Sequence, residues 1–139
     1  MIVVADAGPL HYLIKIGKID LLQIFFGEVL IPQSVREELG HLDAPVKVRA
    51  WFESLPAWVT VASASLLGRP LPLGKGESEA IRLAQDRKAD LILLDDKKAR
   101  RIAEENGLTV TGTLGILFVA HRRGLVKMPG KARFFLASS

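Results

Sequence analysis

Three shortages in the sequence exclude whole classes of protein. The 139-residue chain has no cysteine, which excludes disulfide frameworks, thiolate zinc sites and cysteine nucleophiles. No apolar run approaches the roughly 18 residues of a membrane span, and Asp6 interrupts the first one, so we expect neither a membrane helix nor a signal peptide. Aromatic residues make up only 6%, which argues against a base-stacking platform for single strands. These shortages predict a soluble cytoplasmic protein.

Charge is unevenly distributed along the chain. Residues 1–96 carry 10 basic and 13 acidic side chains, a net charge of −3, whereas residues 97–139 carry 9 basic and 2 acidic ones, a net charge of +7. Two solvated faces would explain this division, and so would a metal site beside a phosphate-binding surface. Apolar residues make up 49%, enough for one core, and the length predicts a single domain over residues 1–139.

Short apolar runs alternate with amphipathic stretches. The runs at 2–5, 29–31, 91–94 and 108–110 are typical of buried strands, and 58–62 alternates weakly like a further strand. This alternation predicts a three-layer α/β/α sandwich around a mainly parallel sheet. Residues 66–76 contain two prolines and three glycines and are predicted to form a loop. Helices are predicted from Gly8 and Pro9 onward, over 21–26, from Pro32 to 39, from Asp43 and Pro45 to Phe52, and over 77–88, 97–106 and 113–123.

Acidic residues gather where the predicted strands end. Open parallel sheets bind ligands at the carboxyl ends of their strands, and carboxylates about 4 Å apart repel by roughly 4 kcal/mol unless a cation lies between them. Hard oxygen ligands favour Mg²⁺ or Mn²⁺ over zinc, and such an ion suits phosphoryl transfer as well as simple ion binding. Spacing from Val35 turns Glu38 inward and leaves Glu37 exposed. The candidate ligands are Asp6, Glu38, Glu77, Glu79, Asp95 and Asp96.

Most of these acids also have a purely structural interpretation. Asp6 would cap the helix that Pro9 opens, and Asp95 or Asp96 would cap the helix that follows. Glu77 and Glu79 would both be favoured by the positive end of their own helix. The residues alone leave these alternatives open.

Hydroxyl and basic side chains border the acids. Thr113 begins the last predicted helix, where it is either an N-cap or a contact to phosphate and water at the metal. Four basic residues directly follow Asp96 and form either a solvated helix face or a nucleic-acid contact to phosphates. They are Lys97, Lys98, Arg100 and Arg101.

Five segments in a fixed order span nearly the whole chain. They are VVADAGPL at 3–10, IPQSVREEL at 31–39, GKGESEAIRLA at 74–84, LILLDDKKARRIA at 91–103 and GTLGIL at 112–117. Together they resemble the PIN-domain family, in particular the small prokaryotic group of predicted nucleic-acid-binding PIN proteins related to VapC-type toxins. The resemblance implies a PIN-like fold and an Mg²⁺- or Mn²⁺-dependent endoribonuclease that hydrolyses RNA.

The resemblance also implies roles for individual residues. An acidic quartet would hold one or two metal ions. Glu79 is an alternative to Glu77 as the third member, and Asp95 adds a ligand beside Asp96, the fourth member. Familiar toxins often have Asp at the third position, and many have Thr or Ser where Leu94 stands. The implied catalytic residues are Asp6, Glu38, Glu77 and Asp96.

The resemblance further implies partners for the protein. These are RNA, an antitoxin protein, and a second copy of the chain in a homodimer, with no membrane involved. The alternative function is a catalytically degenerate PIN-fold module that binds nucleic acid or protein.

Overall fold

A five-stranded sheet forms the centre of the molecule. The computed structural model describes residues 1–41, 43–65 and 70–127. The strands are β1 (Val3–Ala5), β2 (Val29–Pro32), β3 (Val59–Ala62), β4 (Leu91–Leu93) and β5 (Val110–Thr111). They pair in the order β3-β2-β1-β4-β5, and every pair is parallel. The chain therefore reverses its direction of travel across the sheet between β1 and β4, the place where such sheets bind ligands.

Seven helices cover the two faces of this sheet in the described ranges. They are α1 (Ala7–Lys15), α2 (Leu21–Phe26), α3 (Gln33–Leu39), α4 (Val46–Glu53), α5 (Lys75–Asp86), α6 (Lys97–Glu105) and α7 (Thr113–Arg122). Helices α5 and α6 pack on one face and the other five on the opposite face, each with its own apolar cluster. The three-layer α/β/α sandwich is thus confirmed, with a sheet that is wholly parallel. None of these helices has the length and apolar character needed to cross a membrane.

Both central strands are apolar throughout because helices cover both of their faces. Val3 and Ala5 of β1 belong to the cluster under α1, while Val4 between them belongs to the cluster under α5. Leu93 and Ile92 of β4 divide in the same way, and all five residues are at most 1% exposed. Side chains of successive strand residues point to opposite faces, so a charged residue can reach solvent only where these strands end.

Helix α5 begins at Lys75, two residues before the predicted start. The glycines around Lys75 indicate a loop, but Gly74 is the extended residue before the helix and Gly76 lies in its first turn, where tertiary packing overrides the low helix propensity of glycine. The loop prediction was therefore wrong for 75–76, and its 66–69 portion lies outside the described residues. The remaining predicted elements are present, with ends that differ by a few residues.

Candidate active site

The carboxyl ends of β1 and β4 open into a cleft of about 600 Å³. Asp6 follows β1 directly and two aspartates follow β4, so the parallel pairing brings their carboxylates to one edge of the sheet. Helices α3 and α5 supply acidic side chains to the remaining walls. The structure thereby brings five of the six candidate ligands to one cleft, together with Glu37, and leaves Glu79 out of it. The acidic residues that line it are Asp6, Glu37, Glu38, Glu77, Asp95 and Asp96.

Asp6 is the buried member of this group, with 6% of its surface exposed. Its backbone N–H donates to the carbonyl of Leu93 at 3.1 Å, which extends the pairing of β1 with β4 to the cleft. Asp6 is the N-cap residue of α1, but its side chain makes no capping hydrogen bond, so capping does not explain why a carboxylate is buried here. Oδ1 is buried and has no hydrogen-bond partner within the described ranges. A buried carboxylate oxygen without a partner requires an explanation, and a bound ligand would provide one.

Electrostatic repulsion couples the acids of the cleft. Burial raises the pKa of Asp6 from 3.8 to about 6, and the charges of Glu77, Glu38 and Asp95 contribute to that rise. Partial burial also raises the pKa of Glu77, with further contributions from Asp96 and Glu38. The carboxylates therefore lie close enough to disfavour one another's ionisation, and a cation among them would relieve this repulsion.

Gly76 keeps the space between two of these carboxylates open. A Cβ at this position would lie 3.5 Å from Oε2 of Glu38 and 3.8 Å from Oδ1 of Asp6. Both are contact distances, so any longer side chain pointing this way would fill the middle of the acidic cluster. Glycine at this position thus leaves open space where Oε2 of Glu38 and Oδ1 of Asp6 face the first turn of α5.

Glu79 takes a different position from Glu77. Its Oε1 accepts a hydrogen bond from the backbone N–H of Ser34 at 3.3 Å and so caps the first turn of α3. Residues two apart on a helix point to different sides, which is why only Glu77 lines the cleft. Sequence spacing cannot separate the two residues, because it does not reveal that α3 begins beside α5.

The adjacent aspartates after β4 have different partners. Asp95 accepts two hydrogen bonds from Thr113, one from the backbone N–H at 2.7 Å and one from the hydroxyl at 2.6 Å. Asp96 caps α6 by accepting the backbone N–H of Ala99 at 2.9 Å. The capping alternative was therefore correct for Asp96. It was wrong for Thr113, because Gly112 is the N-cap of α7 and the threonine hydroxyl instead holds Asp95.

The four basic residues of α6 point in different directions. The charge of Lys98 acts on Glu77 in the cleft, whereas Arg101 lies 3.8 Å from Glu105 on the solvent face. Arg100 is half-buried and lines a second cavity, and Lys97 is exposed. The structure thus places Lys98 near the acidic cleft and Arg100 at the second cavity, while Arg101 is paired with Glu105.

Ser34 is a cleft residue that the sequence reasoning missed. It lies in the first turn of α3, four residues before Glu38, and lines the cleft. Its hydroxyl is buried and has no hydrogen-bond partner in the part of the chain that the structure describes. The helical spacing of Ser34 and Glu38 would have been the signal, since residues four apart share a helix face.

The chemistry of these donors fits a hard divalent cation such as Mg²⁺ or Mn²⁺. The lining residues combine six carboxylates with one base, Lys75, and include no histidine, and Oδ1 of Asp6 lacks a hydrogen-bond partner among the described residues. Over residues 1–41, 43–65 and 70–127, no three acidic or histidine side chains already surround a common point. The cleft thus supplies the ligand type and the negative charge, without a closed coordination shell.

Comparisons with known proteins agree with this architecture. A family model described as DUF3368: PIN domain matches residues 2–135. Among solved structures, the chain is similar to a PilT N-terminus domain protein, SSO1118, from the hyperthermophilic archaeon Sulfolobus solfataricus P2. That similarity has a TM-score of 0.56 and 21% identity, and it covers 84% of this chain and 91% of the other. No curated protein gives a significant match. The chain belongs to the PIN-domain family, whose members are generally nucleases.

Proposed function

We propose that the protein is an endoribonuclease that hydrolyses RNA phosphodiester bonds at the acidic cleft, with Mg²⁺ or Mn²⁺ as its cofactor. The observation that carries this proposal is the environment of Asp6. Its side chain is buried among other acids, its pKa of about 6 leaves it ionised at neutral pH, and its Oδ1 has no partner within the described residues. Such an arrangement disfavours folding, so its presence is best explained by the binding of a cation.

Each residue of the cleft has a distinct role in this proposal. Asp6 would provide the buried ligand, and its backbone bond to β4 fixes where that ligand lies. Asp95 is oriented by Thr113. Asp96 keeps one carboxylate oxygen for the cleft while Oδ2 caps α6. The residues that would hold the cation are Asp6, Glu38, Glu77 and Asp96, with Asp95 beside them.

Hydrolysis requires that a water oxygen bond to phosphorus while the phosphorus–oxygen bond to the ribose breaks. A divalent cation bound here would make water more acidic and neutralise charge that develops on the phosphate. The role of the protein residues is to hold the carboxylates at fixed positions and to orient the phosphodiester. Lys75 lines the cleft and the charge of Lys98 acts on Glu77, so these two basic residues would draw the phosphate towards the cleft.

Asp6→Asn tests this proposal because it removes the buried charge at almost constant size. Calorimetric titration with Mn²⁺ should show at least about tenfold weaker binding, since a charged ligand is lost. Cleavage of a fluorescently labelled RNA in Mn²⁺ should fall to background. Asp20→Asn is the matched control, because Asp20 is also a helix N-cap without a side-chain capping bond, but it is exposed.

The outcomes of this test separate the two candidate functions. Equal RNA cleavage by wild type and Asp6→Asn would show that the site assignment is wrong. A wild-type protein that binds RNA but neither Mn²⁺ nor Mg²⁺ would instead establish the catalytically degenerate binding module.

We further propose that this nuclease acts in the cytoplasm as a toxin, held in check by an antitoxin protein and assembled as a homodimer. The acidic cleft supports this role only through the proposed activity. Induced expression of wild type should arrest growth, while Asp6→Asn should not. Growth arrest by both proteins would show that toxicity does not arise from the cleft.

A further inference from the structure

A second cavity, of about 330 Å³, adjoins the acidic cleft. The two cavities share Asp95, which therefore forms part of the wall between them. The second cavity differs in character, since it combines a basic side chain with an aromatic ring and an apolar side chain. Its lining residues are Tyr12, Asp95, Arg100, Gly112, Thr113 and Leu114.

Arg100 is the basic residue of this cavity and has no partner in the described ranges. Its guanidinium forms neither a hydrogen bond nor an ion pair there, although the side chain is half-buried. Its Nη1 and Oδ1 of Asp95 lie 3.3 and 2.7 Å from the point where a Cβ on Gly112 would stand. Glycine therefore leaves room between them. A partly desolvated guanidinium without a carboxylate partner is suited to bind an anion, above all a phosphate.

Tyr12 and Leu114 give the same cavity an apolar rim. Tyr12 is 49% exposed on α1 and Leu114 is 57% exposed on α7. An exposed aromatic ring beside an exposed leucine offers a surface for a flat ring, and a base stacked on a protein aromatic is stabilised whatever its identity. The cavity thus combines a basic side chain suited to a phosphate with an apolar rim suited to a base.

We propose that this second cavity binds the RNA nucleotide next to the scissile phosphate, with its phosphate on Arg100 and its base against Tyr12 and Leu114. The inference rests on the proposed ribonuclease function, because the shared Asp95 places this nucleotide beside the acidic cleft. In the part of the chain that the structure describes, Arg100 forms no ion pair with Asp95, so its guanidinium remains available to a phosphate. A nucleotide bound at this subsite would position the neighbouring phosphodiester of the RNA at the acidic residues.

Equilibrium binding of RNA without cleavage tests the subsite. The probe is a short fluorescein-labelled single-stranded RNA, titrated with the protein in EDTA and followed by anisotropy. Arg100→Gln should raise the Kd about tenfold, since a charge-assisted phosphate contact is lost. Arg87→Gln removes the same charge from an exposed position at the far end of α5, and it should change the Kd by less than about twofold.

Two variants of Tyr12 test the stacking contact. Tyr12→Ala should raise the Kd at least about fivefold, whereas Tyr12→Phe should restore wild-type binding because it keeps the ring. Circular dichroism confirms that each variant is folded, as expected for side chains at the surface.

Three results would overturn the subsite. The first is equal weakening of RNA binding by Arg100→Gln and Arg87→Gln, because this would indicate diffuse charge attraction. The second is unchanged RNA binding by Tyr12→Ala. The third is a wild-type protein that binds no RNA. Failure of the ribonuclease proposal is distinguishable, because it would appear as RNA binding without Mn²⁺-dependent cleavage. The pattern of Arg100 and Tyr12 effects would still establish the nucleotide subsite in that case.

Discussion

Asp6→Asn should make the metal-free protein more stable at neutral pH, because the wild-type fold buries a charged carboxylate whose Oδ1 has no hydrogen-bond partner among the described residues. The pKa of Asp6 rises from 3.8 to about 6 on folding, mainly through burial. The folded state therefore binds the Asp6 proton more tightly than the unfolded state does. The stabilising effect of that proton is fully present below pH 3.8 and is lost as the pH rises through about 6.

The size of the effect follows from this pKa difference. At 1.36 kcal/mol for each pH unit between the two values, the charged Asp6 costs the fold about 3 kcal/mol above pH 7. Asparagine does not titrate and carries no charge, so Asp6→Asn should raise the free energy of unfolding by up to about 3 kcal/mol at neutral pH. Near pH 4, where the folded wild type is protonated, the difference should shrink to less than about 1 kcal/mol.

Urea unfolding in EDTA measures this difference, with the fluorescence of Trp51 and Trp58 as the signal. Wild type, Asp6→Asn and the exposed control Asp20→Asn are compared near pH 4 and near pH 7.5, and the control should stay within about 0.5 kcal/mol of wild type. Adding Mn²⁺ should then reverse the order. Wild type gains about 2.7 kcal/mol when the ion is at 100 times its Kd, while Asp6→Asn gains little.

Two results would refute the reasoning about Asp6. One is an Asp6→Asn protein that is less stable than wild type in EDTA at neutral pH. The other is a stability difference of the same size at both pH values, because only a titrating group can produce the predicted change.

Substitutions at four further residues test individual contacts. Glu79→Ala should lower the free energy of unfolding, measured in urea, by about 1 kcal/mol because it removes the cap of α3, and Glu79→Gln should recover part of this loss. Glu77→Gln should instead weaken Mn²⁺ binding, measured by calorimetry. Thr113→Val removes the hydroxyl that donates to Asp95 and should cost about 1–3 kcal/mol, whereas Thr113→Ser should restore the stability. Gly112→Ala places a Cβ 2.7 Å from Oδ1 of Asp95 and should cost about 1–3 kcal/mol; an unchanged Tm would contradict that distance.

The layered fold could be predicted because its signals are local. The continuous apolar runs that contain β1 and β4 indicate strands buried on both faces, and the structure covers both faces with helices. Local patterns were less reliable at helix ends. Gly76 was assigned to a loop because glycine has a low helix propensity, yet it lies in α5 beside Asp6, where only a small residue leaves room.

The acidic cleft could be predicted in part. The rule that ligands bind at the carboxyl ends of parallel strands brought Asp6, Asp95 and Asp96 to one edge, and the structure gives them a common cleft. The partners of these acids could not be predicted. Asp95 meets Thr113 across 18 residues of chain, and Glu79 meets Ser34 across 45.

By itself, the sequence determined the alternation of strands and helices and the acids that stand at strand ends, because both depend on residues adjacent in the chain. Only the tertiary structure decided the strand order, the choice of Glu77 over Glu79 for the cleft, the burial of Asp6 and the cavity around Arg100. Each of these depends on the distance between segments remote in sequence, and that distance is set by how the helices pack on the sheet.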